Sequence, residues 1–224
     1  MPELQRSGEV HLLDLGDDEN RFSLDWMKSV GALLDEVSTQ PAPGALVTAA
    51  RGKFYSNGLD LDWLLAHPDQ RNAYVAEVHA LLARMLALPM PTVAAVTGHA
   101  FGGGALLGMA HDWRVMRADR GYYCFPEVDI RLAFTPGMAA LIQAKLIPAA
   151  ALTAMTTGRR YGGPAALTAG LVDLVLPEAE VLTQAIEFVR PLAAKDPGTL
   201  GAIKATMYAA ATAALQQASE VTLP

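Results

Sequence analysis

Short apolar runs alternate with longer amphipathic segments along most of the chain. Brief apolar runs bounded by turn residues predict buried strands, and apolar residues recurring every three or four positions predict helices. The predicted strands cover residues 9–15, 45–50, 92–96, 112–116, 122–125 and 171–176. The predicted helices cover residues 24–37 (with Ser23 as N-cap), 72–87, 103–110, 137–146, 148–156, 163–169, 178–195 and 197–217. This alternation predicts an α/β fold with a largely parallel sheet, followed by a helical C-terminal extension.

Two glycine-containing loops leave short apolar strands and each lead into a helix. The first is Ser-Asn-Gly-Leu-Asp-Leu at 56–61, and the second is Gly-His-Ala-Phe-Gly-Gly-Gly-Ala-Leu at 98–106. In open α/β sheets ligands bind where strands end, so the loops are expected to share one cleft. Two backbone N–H groups converging there would form an oxyanion hole. For the glycine run alone, close packing of a helix on a sheet is an equally good explanation.

Composition narrows the class of protein. The chain has 224 residues, 52% of them hydrophobic and only 18% charged, enough for one domain with a substantial core. The low charge fraction indicates either an oligomer that hides apolar surface or an alanine-rich chain with ordinary burial. The net charge of −6 argues against a nucleic-acid partner.

The sequence carries few signals that indicate the cellular compartment of the protein. With Cys124 as the one cysteine, no intramolecular disulfide is possible. No apolar run is long enough for a transmembrane helix, so no membrane partner is expected. The first residues lack a signal-peptide pattern and the last lack a Ser-Lys-Leu address, and we expect a cytoplasmic protein.

The two loops, with a third segment running from His-Asp-Trp-Arg-Val at 111–115 to Phe-Pro-Glu-Val at 125–128, resemble the crotonase superfamily. This group is also called the enoyl-CoA hydratase/isomerase family, and the resemblance covers about residues 10–194. It implies a ββα spiral fold, with a core at 1–195 that includes a helical trimerisation region and a C-terminal helix at 196–224. It also implies an acyl-CoA thioester as substrate, a homotrimer or hexamer, and no metal or redox cofactor.

The resemblance assigns roles residue by residue. The catalytic groups are the backbone N–H groups of Leu59 and Gly103, which would hold the thioester oxygen, and the carboxylate of Glu127. The residues implied to bind substrate are Lys53, Ser56, Asn57, Gly58, Asp60, Phe101, Gly102, Leu106 and Phe134. Arg51 and Lys204 are further candidates, with Lys53, for the phosphates of CoA.

The reaction depends on one position. Hydratases of the family use two glutamates to add water, and here the first of these positions is Leu106 while the second is Glu127. A leucine cannot hold water, so the sequence favours transfer of one proton within the substrate. This resembles Δ3,Δ2-enoyl-CoA isomerases of the plant peroxisomal type, which convert 3-enoyl-CoA to trans-2-enoyl-CoA in fatty-acid β-oxidation. The alternatives are a hydratase or other crotonase-type reaction, and a catalytically silent acyl-CoA-binding protein.

Several residues have a plainer interpretation. Glu127 could instead form a surface salt bridge with Arg131, and Asp60 is expected to cap the following helix. Asp129 is either a second polar group at the cleft or a solvated loop residue. We interpret His99 and His111 as structural and Cys124 as a small buried thiol. For four aromatic residues an acyl tunnel and core packing are equally good explanations: Tyr122, Tyr123, Phe125 and Phe134.

Overall fold

The computed structural model describes residues 1–40 and 42–218. Within them the strands are β1 (Glu3–Ser7), β2 (Val10–Asp14), β3 (Ala45–Ala49), β4 (Phe54–Ser56), β5 (Thr92–Val96), β6 (His99–Phe101), β7 (Trp113–Arg117), β8 (Tyr123–Cys124) and β9 (Leu174–Leu176). They form a six-stranded sheet in the order β1-β2-β3-β5-β7-β9 and a three-stranded sheet in the order β4-β6-β8. Strands β1 and β2 pair antiparallel, and the other strand pairs are parallel.

The helices are α1 (Leu24–Thr39), α2 (Leu61–Ala66), α3 (Arg71–Leu86), α4 (Gly103–Ala110), α5 (Pro136–Lys145), α6 (Pro148–Thr156), α7 (Gly163–Thr168), α8 (Glu178–Val189), α9 (Pro197–Met207) and α10 (Ala209–Gln216). Two 3-10 turns lie at Pro68–Gln70 and Arg190–Leu192. None of the helices in the described part of the chain is long and apolar enough to cross a membrane.

A ββα unit repeats three times. In each repeat one strand of the large sheet is followed by one strand of the small sheet and then by a helix: β3-β4-α2, β5-β6-α4 and β7-β8-α5. Because successive strands lie side by side and parallel in both sheets, the chain winds as a spiral. The predicted α/β class is therefore confirmed.

The central strands of the large sheet are buried on both faces, which explains why they are mostly apolar. Every residue of β3 and β5 is buried. Side chains alternate between faces, so Val47 and Val93 pack with Val181 of α8, whereas Leu46 and Ala94 pack in the main core. The main core lies between the two sheets and helices α1, α3, α4 and α5.

Several predicted elements differ from the structure. The helix predicted at 197–217 is interrupted at Tyr208, and the one predicted at 178–195 ends at Val189 and continues only as a 3-10 turn. Strand β4 lies in a segment, residues 51–60, where no strand is predicted. Strands of three residues, such as β4 and β6, are too short to show a period of two.

The C-terminal helices fold back onto the same chain. Helix α10 packs against α5 and α3, and the division at residue 195 stays a prediction. Lys204 of α9 is buried, and its ammonium group donates to Leu88 O (2.9 Å), Met90 O (2.6 Å) and Asp112 Oδ2 (2.6 Å). The expectation that Lys204 binds a CoA phosphate is wrong, because its donors are already used inside the protein.

Candidate active site

The three parallel strands of the small sheet end along one edge, and a cleft of about 270 Å³ lies there. Strand β4 leads to Asn57, β6 leads to Gly102, and β8 leads through Phe125 to Glu127. Parallel strands bring their carboxyl ends together, which places these sequence-distant segments around one cavity. The cleft is lined by Arg21, Asn57, Leu59, Leu61, Asp62, Phe101, Gly102, Gly103, Cys124, Pro126, Glu127, Ile130, Leu132 and Arg160.

The two glycine loops touch through their backbones. Gly58 has a φ of +80°, and a Cβ on it would lie 2.6 Å from both Gly103 N and Phe101 O. A Cβ on Gly104 would overlap Ser56 O. Because no other residue permits this approach, close packing of helix on sheet is one real reason for the glycines. The same closeness brings the amides of Leu59 and Gly103 to one cleft.

The amide of Leu59 is oriented by its neighbour. Phe22 N–H donates to Gly58 O at 2.8 Å. In a planar trans peptide the C=O and the N–H point in opposite directions, so the Leu59 N–H points away from Phe22. Among the described residues it has no acceptor.

The amide of Gly103 lies at the start of α4. Gly102 O accepts the first helical bond, from Leu106 N at 2.9 Å, so the Gly103 N–H points out of the helix N-terminus. It too has no acceptor among the described residues. Both unpaired donors belong to residues that line the cleft, and the helix dipole adds partial positive charge at Gly103.

Glu127 provides the carboxylate of the cleft. The residue is 7% exposed, and its Oε2 has no hydrogen-bond partner among the described residues. Its Oε1 lies 3.4 Å from where a Cβ on Gly102 would be, so the carboxyl group reaches the second loop. Burial raises the pKa of Glu127 to about 7. The alternative of a surface salt bridge with Arg131 is wrong, because Glu127 is buried and forms no ion pair with the described residues.

Six of the predicted site residues line the cleft: Asn57, Leu59, Phe101, Gly102, Gly103 and Glu127. Two others support the first loop from behind. The Ser56 hydroxyl donates to Asn20 O (2.7 Å) and accepts from Gly58 N (3.1 Å), and Asp60 caps α2 by accepting from Trp63 N.

The remaining predicted site residues lie elsewhere. Leu106 is buried in the main core, and Phe134 packs against the same core. Lys53 lies over the ring of Phe54 and lines a separate small cavity with Arg117 and Arg120. Arg51 pairs with Asp14. Tyr123 and Phe125 are fully buried core residues.

Sequence reasoning missed Arg21 and Arg160 at the cleft. Arg21 is paired with Glu19 and Asp62, and Arg160 lies over the ring of Phe101 at 5.8 Å. Arg21 comes just after the acidic run at 17–19 and Arg160 directly follows Arg159, but neither segment carries a motif, so only tertiary structure could show that they reach the cleft.

The other titratable candidates are structural. His111 is fully buried between Thr48 Oγ1 (2.9 Å) and Leu107 O (2.8 Å), and burial lowers its pKa to about 3. Burial raises the pKa of the Cys124 thiol to about 11, which disfavours the reactive thiolate. The described residues contain no cluster of three or more His, Cys, Asp or Glu side chains suited to a metal ion.

Residues 7–223 match the family model for enoyl-CoA hydratase/isomerase, and the chain belongs to that family. Its fold is the crotonase fold. Within the family it is an enoyl-CoA isomerase-like enzyme.

Known relatives show how far this similarity extends. The peroxisomal enoyl-CoA delta isomerase 2 of Arabidopsis thaliana is 36% identical over 203 residues, covering 86% of this chain and 85% of the relative. The structure of a probable enoyl-CoA hydratase from Mycobacterium tuberculosis superposes with a TM-score of 0.90 at 25% identity, covering 97% of this chain and 92% of the other. The structure of the human mitochondrial delta3-delta2-enoyl-CoA isomerase superposes with a TM-score of 0.89 at 20% identity, covering 95% of this chain and 84% of the other. That last likeness shows the fold alone.

Proposed function

We propose that this protein converts 3-enoyl-CoA to trans-2-enoyl-CoA by moving one proton with one glutamate. The observation that carries the proposal is the cleft chemistry: the single buried carboxylate of Glu127 lies beside the unpaired amides of Leu59 and Gly103. The similarity to enoyl-CoA delta isomerases supports the same reaction class.

The steps follow from the position of the charges. The Glu127 carboxylate removes a proton from C2 of the 3-enoyl thioester, and the electron pair moves onto the thioester oxygen. That oxygen accepts hydrogen bonds from Leu59 N–H and Gly103 N–H, which stabilise the dienolate. Protonated Glu127 then returns the proton at C4, the double bond forms between C2 and C3, and the enzyme is restored.

A carboxylate with a pKa near 7 suits both halves of this cycle, because it accepts and releases a proton at similar cost near neutral pH. Hydration would need a second polar group to hold water. Leu106, at the position of the hydratase glutamate, is buried in the apolar core and supplies none.

The reaction class is tested by two substrates offered separately, trans-3-hexenoyl-CoA and crotonyl-CoA, while the absorbance of the conjugated thioester is followed. An isomerase increases absorbance with the first and leaves the second nearly unchanged. Fast loss of absorbance with crotonyl-CoA would establish a hydratase instead. Binding of both with no change would favour the silent acyl-CoA-binding protein.

The role of Glu127 is tested by Glu127→Gln, which keeps the shape and removes the base. We expect kcat to fall by about 10²–10⁴-fold while KM changes little, as for loss of a general acid–base group. The control is Asp129→Asn, which changes an exposed carboxylate two residues away. Equal losses in both variants, or a fully active Glu127→Gln, would contradict the assignment.

We extend the proposal to the setting of the enzyme: fatty-acid β-oxidation in the cytoplasm, without a metal or redox cofactor, as a homotrimer or hexamer. Large exposed apolar residues on and near α6 and α9 support association, namely Ile147, Leu152, Ile203 and Met207. Light scattering of the purified protein gives the oligomeric mass directly, and a monomer at micromolar concentration would contradict the assembly.

A further inference from the structure

A tyrosine on α3 connects the first glycine loop to the segment before α1. Tyr74 is 1% exposed, and its hydroxyl uses both of its hydrogen-bonding functions. It accepts from Asp60 N–H at 2.9 Å and donates to Phe22 O at 2.7 Å. Neither partner is close to Tyr74 in sequence.

Together with one backbone bond, these hydrogen bonds form a closed network around Leu59. Phe22 N–H donates to Gly58 O at 2.8 Å, and Phe22 O is joined through the Tyr74 hydroxyl to Asp60 N–H. The peptide plane before Leu59 and the one after it are each tied to Phe22. A peptide plane held at both neighbours cannot rotate freely, so the direction of the Leu59 N–H is set before any ligand binds.

The ring of Tyr74 would pack equally well without its hydroxyl. It stacks on Trp63 with ring centroids 5.3 Å apart, a contact that phenylalanine would keep. The hydroxyl itself sets direction, since it joins the part-buried N–H of Asp60 to the buried carbonyl oxygen of Phe22.

We propose that Tyr74 is a positioning residue, which acts through Asp60 and Phe22 to aim the Leu59 amide at the thioester oxygen. The inference rests on the proposed function, because it assumes that this amide stabilises the enolate. Tyr74 touches neither the cleft nor the reacting atoms, so its effect would be indirect.

The test compares Tyr74→Phe with Tyr55→Phe. Tyr55 is also fully buried, and its hydroxyl bonds to Thr48 Oγ1 at 2.8 Å, away from the Gly58–Asp60 peptides. Each variant loses one buried hydroxyl. The readouts are kcat, KM and the infrared C=O stretch of bound trans-2-hexenoyl-CoA labelled with ¹³C at C1, a frequency that falls when the carbonyl is polarised.

We expect Tyr74→Phe to lower kcat about tenfold, part of the 10²–10³ typical of losing one oxyanion donor, with KM within about twofold. In this variant the C=O stretch of the bound thioester should move back toward its value in solution. Tyr55→Phe should keep the wild-type kcat and the wild-type C=O stretch. An unchanged stretch and kcat in Tyr74→Phe, or equal losses in both variants, would overturn the inference.

A second pair of variants removes the same bond from the other side. Asp60→Pro deletes the N–H that Tyr74 accepts, and Asp60→Ala removes only the side chain that caps α2. The proline variant should show the larger shift of the C=O stretch. Equal shifts in the two variants would count against a positioning role for Tyr74. If the wild-type protein lowers the stretch but does not isomerise 3-enoyl-CoA, the proposed reaction is wrong and the stretch still decides the role of Tyr74.

Discussion

Glu127 is a carboxylate kept out of water at a cost to stability. Its Oε2 has no partner among the described residues, and burial raises its pKa from 4.5 to about 7. Below pH 4.5 the carboxyl group is protonated in both the folded and the unfolded state. Between about pH 4.5 and 7 the folded state binds more protons, so the contribution of Glu127 to stability falls as pH rises and levels off above 7.

Replacement of this carboxylate should therefore stabilise the protein at alkaline pH. We expect Glu127→Gln to raise the free energy of unfolding by as much as ~3 kcal/mol at pH 8.5, the order implied by the pKa shift, and by little at pH 4.5. Urea unfolding at the two pH values gives the difference. A gain that is independent of pH would show that the carboxylate charge is not the cause.

The same group should govern the pH dependence of turnover. The base must be ionised to take the C2 proton, so we expect kcat/KM to rise with pH and to level off above about 7. A pH–rate profile with trans-3-hexenoyl-CoA measures this. An ascending limb centred near pH 4.5 would contradict a base whose pKa is raised by burial.

The sequence motif identified some residues of the candidate site but not the direction of their side chains. The motif identified Glu127 and both glycine loops, because backbone donors and a cleft carboxylate recur at fixed spacings. The motif did not separate Asn57, which lines the cleft, from Ser56, which points to Asn20 O behind it. The direction of a side chain depends on the neighbouring segment, here residues 20–22, which no local pattern connects to the loop.

At the scale of the elements, the position of α4 depends on its close contact with β4. Gly104 lies against Ser56 O, where any Cβ would overlap the carbonyl oxygen. A larger residue at position 104 would therefore displace the start of α4. The same displacement would move the N–H donor of Gly103, the first residue of the helix.

A substitution at this contact should be severe. We expect Gly104→Ala to destabilise the protein by ~3 kcal/mol or more, because backbone must move in a packed core. The matched control is Gly162→Ala at the N-cap of α7, where a Cβ would meet nothing within 4 Å and φ is −69°; we expect a change of under ~0.5 kcal/mol there. Thermal unfolding of both variants compares them, and similar melting temperatures would contradict the contact.

Prediction of the elements succeeded where the pattern was long enough. Helix α1 begins after Ser23, whose side chain accepts from Trp26 N as an N-cap does, and its apolar residues repeat at helical spacing. In the small sheet only β8 is predicted, as a strand at 122–125, because β4 and β6 have three residues each and show no period of two. Their pairing is decided by the large sheet, which brings the strand ends side by side.

At the scale of the whole molecule, Lys204 joins the C-terminal helices to the sheet. It bonds to Asp112 before β7 and to the carbonyls of Leu88 and Met90 before β5. Its buried charge is satisfied by three acceptors, and removal of the lysine leaves Asp112 without its ion-pair partner.

We expect Lys204→Ala to destabilise the protein by ~3–5 kcal/mol, as for breaking a buried ion pair. The control Lys195→Ala removes an exposed lysine from the same region and should change stability by under ~0.5 kcal/mol. Chemical denaturation of both variants tests this, and KM for the acyl-CoA should be unchanged in the folded Lys204→Ala protein. A raised KM with normal stability would restore Lys204 as a CoA contact.

The bond between Lys204 and Leu88 joins residues 116 positions apart, and it has a consequence for synthesis of the chain. Both sheets and the cleft are encoded before residue 177, yet the carbonyls before β5 and the carboxylate before β7 receive their cation only once α9 has been made. On the ribosome, the nascent chain therefore carries an unneutralised Asp112 beside a nearly finished core. Neutralisation of Asp112 by Lys204 is therefore a late step of folding, which requires that α9 has left the exit tunnel.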